Sequence, residues 1–433
     1  DLSTSPAKII SNTSLAGDDS ISQWAAGSQV AYLVASTGKS DTNGALIRKL
    51  YLFDGNQFQK LPDIIGPNFD DNPNSLVVVG DDLFFIAGAA GSNFPHVYFY
   101  RRSTGQVSQI SNISNDENPR DLKWLNGSLY FKAFTNFTME VDHYYRWNNG
   151  SLSMVSDTCP GHKSDVSNLS AFGSFICFTA KKTAGASCTN YSRLYCTSGT
   201  QTVLAGNDVS DGGSGITDPR QLTSSNGNLY MIAYNQSKSH IYKWTGTGQI
   251  SQLSHVNTQT NDDQISSIAV FGNSIIFSAI PQGTNDPRLY QSSGTTVSPI
   301  PMTPPGSSAI KFESTGISTT SNYYFVGSPV GSNCNQVYRY NGSNIELMIH
   351  PFPSLCKQVN MFDQANSRLL ISMSDNQGNG RLYRSTDGLN LQLVSGLNPT
   401  NEDIAEKGFQ LGSNYFYVPN LTTGTSLFKI QNE

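Results

Sequence analysis

The sequence predicts an all-β protein, a single closed β-propeller of about nine four-stranded blades, whose last blade is completed by the N-terminal strand. Two observations predict it: a tyrosine-centred motif that returns at a nearly constant interval, and short apolar runs around each motif. At roughly 150 residues per domain a chain of 433 residues would otherwise predict several domains, but a repeat protein grows by adding units to one core.

The motif is an aliphatic or aromatic residue followed by Tyr or Phe, then polar residues and usually Gly. It returns at intervals of 45 to 50 residues. The aromatic second positions are Tyr51, Tyr98, Tyr145, Tyr195, Tyr242, Tyr290, Tyr338, Tyr383 and Phe428. Spacing this even indicates one kind of structural unit repeated along the whole chain.

Three further apolar runs accompany each motif, two before it and one after it. LFFIA at Leu83 and LYMIA at Leu229 are examples of the run that lies before the motif, and their length and composition are typical of buried strands. Four antiparallel strands in each ~40 to 50 residues are typical of propeller blades. We predict blades at residues 14–64, 65–113, 114–157, 158–205, 206–257, 258–303, 304–350, 351–397, and 398–433 with 6–12.

The two ends of the sequence predict how the ring closes. The ninth unit stops at Glu433 after its third strand, and PAKIIS at residues 6–11 has the pattern of the missing fourth strand. Two smaller propellers or an open array are the competing architectures. The even spacing and the single displaced strand favour one ring, which leaves no free end for aggregation.

The repeats resemble a known family. NPNSL at Asn72, NPRDL at Asn118 and DPRQL at Asp218, with GSLYFKA, GNLYMIA and GRLYRSTDG further along the units, resemble the ELWxxDGT and hyalin-like extracellular β-propeller repeats. The resemblance covers most of the chain, with Tyr in place of the Trp of the family motif. It implies an extracellular propeller and no defined activity.

Cysteines and glycosylation motifs predict an oxidising compartment. No CxxC pair occurs, so disulfides are favoured over a zinc site. Cys159, Cys177, Cys188 and Cys196 allow three pairings. We prefer Cys177 with Cys196 and Cys159 with Cys188, and we pair Cys334 with Cys356. N-x-Ser/Thr acceptors occur at Asn12, Asn112, Asn126, Asn136, Asn149, Asn168, Asn190, Asn235, Asn341 and Asn420. We therefore expect a processed glycoprotein that is extracellular, secreted or associated with the cell surface.

Acidic residues recur where each blade begins. In a propeller these segments lie on one face near the axis, which predicts an axial acidic ring of Asp19, Asp71, Asp116, Asp165, Asp218, Asp263 and Asp403. The functional interpretations are calcium binding and a polar binding rim, but the ligand spacing of a calcium loop is absent. The other interpretation is that these side chains bond their own backbone in turns. We expect no cofactor and no metal.

The function predicted from these observations is non-catalytic. The net charge is −5 without a run of Lys or Arg, no apolar stretch reaches the ~20 residues of a membrane span, and no catalytic triad or phosphate-loop motif occurs. We expect a recognition, adhesion or self-assembling structural module, not an enzyme. Its partner would be an extracellular protein or glycan, possibly copies of itself, and not nucleic acid. The alternative is a propeller-type polysaccharide hydrolase or lyase that uses carboxylates at the blade entries.

Overall fold

Strands are the regular elements of this chain. The computed structural model describes residues 8–9, 20–40, 44, 46–88, 95–114, 117–136, 141–155, 157–184, 187–199, 202–205, 216–257, 261–304, 309–332, 334–350, 357–365, 368–375, 380–394, 404–412, 414–420 and 427–430. Within these ranges the chain forms 36 strands and no helix, so no described helix is long and apolar enough to cross a membrane.

The first four blades follow one another along the chain. Blade 1 contains β2 (Gln23–Ala26), β3 (Ala31–Ser40), β4 (Leu46–Phe53) and β5 (Phe58–Lys60). Blade 2 contains β6 (Asn74–Val79), β7 (Asp82–Gly88), β8 (Pro95–Arg101) and β9 (Gln106–Gln109). Blade 3 contains β10 (Arg120–Leu125), β11 (Ser128–Asn136), β12 (Val141–Asn148) and β13 (Ser151–Met154). Blade 4 contains β14 (Ser167–Phe172), β15 (Phe175–Ala184), β16 (Ser187–Thr197) and β17 (Thr202–Leu204).

The next four blades repeat the same pattern. Blade 5 contains β18 (Thr217–Ser225), β19 (Asn228–Asn235), β20 (Lys238–Trp244) and β21 (Ser251–Gln252). Blade 6 contains β22 (Ser267–Phe271), β23 (Ser274–Ala279), β24 (Arg288–Ser292) and β25 (Val297–Pro299). Blade 7 contains β26 (Ile310–Ser318), β27 (Tyr323–Pro329), β28 (Gln336–Tyr340) and β29 (Ile345–Leu347). Blade 8 contains β30 (Lys357–Ala365), β31 (Arg368–Asp375), β32 (Gly380–Ser385) and β33 (Gln392–Leu393).

Blade 9 combines the two ends of the chain. It contains β34 (Ile404–Leu411), β35 (Asn414–Asn420), β36 (Phe428–Ile430) and, from the N-terminal region, β1 (Lys8–Ile9). The strand order is β1-β36-β35-β34, and β1 pairs antiparallel with β36 through Lys8 opposite Lys429 and Ile9 opposite Phe428. The described residues thus form nine four-stranded antiparallel sheets in a ring, as predicted.

The first strand of each blade lies closest to the axis. The first strands of most neighbouring blades contact one another, from β2 with β6 to β30 with β34, and β2 of blade 1 also contacts β34 of blade 9. In blades 1 to 8 the strand order within the sheet follows the order along the chain, so the fourth strand is the outer edge. The axis is therefore surrounded by inner strands, and the perimeter is formed by short edge strands.

The core lies between the blades. The described residues form nine buried clusters, and each cluster combines side chains of two neighbouring blades. The motif tyrosines supply part of this core and are at most 8% exposed: Tyr51, Tyr98, Tyr145, Tyr195, Tyr242, Tyr290, Tyr338 and Tyr383. Each sheet is apolar on both faces because it is covered on both sides, which explains the aromatic-rich runs of the sequence.

Candidate binding site around the propeller axis

The inner strands of blades 2 to 5 begin with the same unusual backbone. We call residues 72–75, 118–121, 165–168 and 218–221 the entry segments, and the face of the ring where they lie the entry face. Each entry segment begins and ends with a non-glycine residue in the left-handed region, with φ between 37° and 57°: Asn72, Ser75, Asn118, Asp121, Asp165, Asn168, Asp218 and Gln221. Asn and Asp tolerate this conformation best, whereas Ser75 and Gln221 adopt it at a higher energetic cost.

The sequence of the entry segments explains how they are held. The second residue of each is buried, as Pro73, Pro119, Val166 or Pro219. A register shift follows in each inner strand, which is the mark of a β-bulge. The bulge accommodates one extra residue, and its left-handed conformation turns the backbone away from the regular ladder. The entry segments are thus anchored by an apolar residue and present polar side chains toward the axis.

Side-chain amides link the inner strands of neighbouring blades. The Ser75 N–H donates to Gln23 Oε1 at 2.9 Å, which joins blades 1 and 2. Gln221 of blade 5 donates from Nε2 to the Ser266 carbonyl at 3.3 Å and accepts from the Ile268 N–H at 3.1 Å. Peptide groups of adjacent inner strands are therefore bound by amide side chains instead of by a continuous sheet.

Some polar groups on the entry segments remain exposed. The side chains of Asn72, Asp121, Asp218 and Gln221 are exposed. No described residue donates a hydrogen bond to the Asp121 carboxylate, whereas Asp218 Oδ1 accepts from the Ser192 N–H at 2.8 Å. Each inner strand also has a sheet partner on one side only. Its other edge carries backbone N–H and C=O groups that are unpaired within the sheet.

Two members of the predicted acidic ring are buried at blade junctions. Asp71 is 3% exposed and Asp263 is fully buried, so neither is accessible to a ligand. Asp71 accepts from the N–H groups of Ile64 and Ile65 and lies 2.9 Å from Lys49 Nζ. This corrects the prediction of a common exposed ring. The physical reason is that the preceding blade packs against these carboxylates, which compensate its buried cations and N–H groups.

Asp263 and Glu117 occupy matching junctions. Asp263 accepts from Ser254 Oγ at 2.6 Å and from the Asn257 N–H at 2.8 Å, and it lies 2.9 Å from His240 Nδ1. Burial opposes ionisation of Asp263, but the bonds from His240, Ser254 and Asn257 outweigh it and hold its pKa below the ordinary value. Glu117 has the corresponding partners Ser111, Ile113 and His96.

The remaining acidic residues do not gather at one place. Asp165 is half-buried and pairs with Lys181 and Lys163, and Asp218 binds the backbone of Ser192. Asp19, Asp116 and Asp403 lie outside the described residues. In the part of the chain that the structure describes, no three His, Cys, Asp or Glu side chains are placed to hold a metal ion.

The glycosylation acceptors occupy different environments. Asn112, Asn126, Asn149, Asn190 and Asn341 are exposed. Asn168 is half-buried and its Nδ2 donates to Ser167, Thr179 and the Pro219 carbonyl. Asn235 is half-buried, and its buried Oδ1 lacks a hydrogen-bond partner. Asn12 and the side chains of Asn136 and Asn420 lie outside the described part of the chain.

Disulfide bonds lie in blade 4 and its neighbourhood. Cys177 and Cys196 are directly opposite on β15 and β16 and form one bond, and Cys159 with Cys188 forms another. Both are the pairings that the sequence analysis prefers. Cys334 is disulfide-bonded, while Cys356 lies outside the described residues.

Sequence reasoning missed the left-handed entry segments and the partners of the buried carboxylates. The signal for three of the four entry segments is Asn or Asp before Pro, with a polar residue three positions after the first; in the fourth, Asp165 is followed by Val166. The signal for the junctions is a basic residue two positions before the motif tyrosine, as in Lys49, His96 and His240.

Comparison with known proteins yields likeness to solved structures. No protein-family model and no curated protein sequence matches the chain. One similar structure comes from an analysis of two prolyl endopeptidases and their inter-domain dynamics, with 12% identity, a TM-score of 0.44, and coverage of 83% of this chain and 55% of that chain. Another is acylaminoacyl peptidase of Pyrococcus horikoshii, with 9% identity, a TM-score of 0.39, and coverage of 82% and 57%.

These comparisons correct the functional prediction. Both matched structures are peptidases, whereas the sequence analysis expects a non-catalytic module that is not an enzyme. That expectation and its polysaccharide-hydrolase alternative are withdrawn. The chain spans a little more than half of each matched structure, 55% and 57%. At 12% and 9% identity the likeness concerns the fold alone, so no residue role is transferred from either peptidase.

Proposed function

We propose that this chain is a polypeptide-binding propeller whose ligand enters the axial channel at the entry face. The observation that carries the proposal is the repeated strain of the entry segments, where eight non-glycine residues of four consecutive blades are left-handed. Strained backbone concentrated at one place is a mark of functional sites. Here it lies where polar side chains border the axis.

The chemistry of the entry face favours a polypeptide. Inner-strand edges offer N–H and C=O groups, which bind an extended chain by strand addition. Gln23 and Gln221 already bind peptide groups of the neighbouring blade through their side-chain amides. Asp121 adds an exposed carboxylate without a described partner. A polypeptide supplies the matching donors and acceptors along its whole length.

Glycine substitutions test this function without adding backbone strain. Asp121→Gly and Gln221→Gly remove side chains at positions with positive φ, a backbone conformation that glycine adopts at least as readily as the native residue. We expect the double variant to bind a mixture of labelled unstructured peptides about tenfold more weakly, which corresponds to ~1.4 kcal/mol. Fluorescence anisotropy measures the binding, and mass spectrometry of the same samples records whether bound peptides are cleaved.

The matched control uses left-handed residues outside the entry segments. Asn149 and Asn226 have φ of 47° and 48° in hairpin turns. Asn149→Gly with Asn226→Gly should bind peptides like the parent protein. Equal binding by both double variants would show that the side chains of the entry face do not hold polypeptide.

We also propose that the chain is an extracellular glycoprotein. Two disulfide bonds join described cysteines, and the described residues include no free cysteine. Disulfides persist in oxidising compartments. Five acceptor asparagines are exposed, as a glycan requires. Secretion from eukaryotic cells and a mass shift on treatment with an N-glycosidase test this proposal.

A further inference from the structure

A cavity on the perimeter of blade 2 lies far from the entry segments in the sheet, at the opposite edge. Its volume is about 710 Å³, within the range of ligand sites. Blade 1 contributes Asp63 and Ile64 to the lining, and blade 2 contributes Tyr98, Phe99, Arg101 and part of β9. Tyr98 packs toward blade 1 and Phe99 toward blade 3, so the cavity extends around the outer edge of β9.

The outer edge of β9 carries backbone groups without a strand partner. The Ile110 N–H donates to the Val97 carbonyl at 2.8 Å, which marks Val97 and Ile110 as a hydrogen-bonded pair. Antiparallel pairs alternate, so Tyr98 with Gln109 and Tyr100 with Val107 are non-hydrogen-bonded pairs. The N–H and C=O groups of Val107 and Gln109 therefore point away from β8, along the free edge of β9. Val107 lines the cavity, and Gln109 continues the same edge next to it.

The charge of the cavity is positive. Asp63 is matched by Lys49 Nζ at 3.0 Å and Lys60 Nζ at 2.9 Å. The Arg101 guanidinium is exposed and lies over the Phe99 ring, 5.5 Å from its centroid. No described acidic side chain forms an ion pair with Arg101. An occupant that carries a carboxylate would complete this arrangement.

We propose that an extended peptide segment with acidic side chains binds here by adding a strand to β9. Its backbone pairs with Val107 and Gln109, an apolar side chain lies beside Ile64 and Tyr98, and an acidic side chain pairs with Arg101. Strand addition provides affinity through the backbone and specificity through alternate side chains. The site is independent of the entry face, and neither proposal requires the other.

Blade 6 shows which substitution tests the backbone pairing. Its outer strand reads TVSPI where blade 2 reads QVSQI, and Ile300 donates to the Leu289 carbonyl as Ile110 does to that of Val97. Pro299 therefore occupies the position of Gln109, with its missing N–H on the free edge. Gln109→Pro should keep the blade folded and remove one outward donor.

Blade 5 supplies the matched control. Gln252 occupies the same position as Gln109, and the two side chains donate from Nε2 to the carbonyls of Ser254 and Ser111. Gln252→Pro thus removes the same side-chain hydrogen bond and the same outward N–H as Gln109→Pro, but at a place away from the cavity. Arg101→Gln is a second test that leaves the strand intact. Circular dichroism confirms that each variant is folded.

The probe is a capped synthetic peptide that alternates Glu with Val or Thr, and its affinity is measured by isothermal titration calorimetry. We expect Gln109→Pro and Arg101→Gln each to weaken binding about tenfold, and Gln252→Pro to leave it unchanged. The same peptide with Lys in place of Glu should not bind. No binding of the Glu peptide to the parent, or equal binding by all three variants, would overturn the proposal. The glycine variants of the entry face should bind this peptide as the parent protein does. Failure of the β9 site can therefore be distinguished from failure of the proposed function.

Discussion

Single residues at the blade junctions combine charge with burial. Asp263 is fully buried and is bound by His240, Ser254 and Asn257. Such a carboxylate stabilises the fold only while all its partners are present, because the desolvated groups left behind by its removal are costly. A buried carboxylate with the same kinds of partner recurs at Glu117, so the stability of the junctions depends on a few specific side chains.

We predict that Asp263→Asn lowers the free energy of unfolding by about 3 kcal/mol at pH 7. The amide keeps the volume but has a single acceptor oxygen. It therefore cannot serve both the Asn257 N–H, which binds Oδ1, and the pair Ser254 and His240, which bind Oδ2. Asp121→Asn, on an exposed side chain, is the control and should change stability little. Urea denaturation measures both, and an equal effect of the two substitutions would contradict the junction role.

The effect of Asp263→Asn should depend on pH. The pKa of Asp263 is held below the ordinary value in the folded protein, so the ionised form contributes stability above the unfolded pKa. This contribution is lost as the pH falls through the folded pKa. The difference in the free energy of unfolding between the parent protein and Asp263→Asn should therefore be largest at neutral pH and should shrink below ~pH 4. A difference that grows in acid would contradict this assignment.

The surroundings of each acceptor asparagine predict which of them carry a glycan. A glycan on Asn168 would displace the bonds that its Nδ2 donates to Ser167, Thr179 and Pro219. Asn112, Asn149 and Asn190 are exposed and have no such constraint. Glycopeptide mapping of protein secreted by eukaryotic cells should find glycans on these three and none on Asn168. Occupancy of Asn168 would show that the inner strand of blade 4 is modified before it packs.

At the scale of the element, turns decide how closely two blades approach. Gly27 ends the inner hairpin of blade 1, and a Cβ there would overlap the Gly80 carbonyl oxygen and approach Val78 of blade 2 at 2.9 Å. Gly88 has more room, since its Cβ would lie 3.6 Å from Ile65. The contact at Gly27 is between backbone atoms, which cannot move aside as a flexible side chain can.

We predict that Gly27→Ala destabilises the protein by about 1 to 3 kcal/mol through overpacking. Gly88→Ala should be tolerated, because its new methyl group meets only ordinary van der Waals contacts. The midpoint of thermal unfolding distinguishes the two variants. Equal midpoints would mean that the hairpins of blades 1 and 2 are further apart than the structure shows.

At the scale of the whole molecule, ring closure makes every blade an interior neighbour. Phe416 of blade 9 and Phe53 of blade 1 are fully buried, with ring centroids 5.1 Å apart. The first and last blades thus share a core like any other pair, although they are the most distant in sequence. A repeat array that closes in this way has no exposed terminal face.

Closure can be tested by comparing two core substitutions. Phe416→Ala affects the interface between blades 9 and 1, and Phe277→Ala affects the interface between blades 5 and 6. In a closed ring each substitution should lower the free energy of unfolding by about 3 to 5 kcal/mol, since both side chains are at most 1% exposed. A much smaller effect at Phe416, measured by denaturation under the same conditions, would indicate an open ring.

The sequence by itself determined the strand content, the nine units and the burial of the apolar runs that precede each motif. These follow from local patterns, because apolar runs and turn residues report on each strand and the even interval reports on the repeat. The preferred pairing of Cys177 with Cys196 followed in the same way, since neighbouring strands of one meander bring these cysteines opposite each other.

Only the tertiary structure decided which polar residues are available to a ligand. Asp71 and Asp121 both precede or begin an inner strand, yet one is 3% exposed and the other is exposed. The difference arises because a neighbouring blade covers Asp71 and supplies Lys49, whereas the bulge turns Asp121 outward. Exposure depends on what an adjacent sheet places over a residue, and a linear pattern contains no record of that contact.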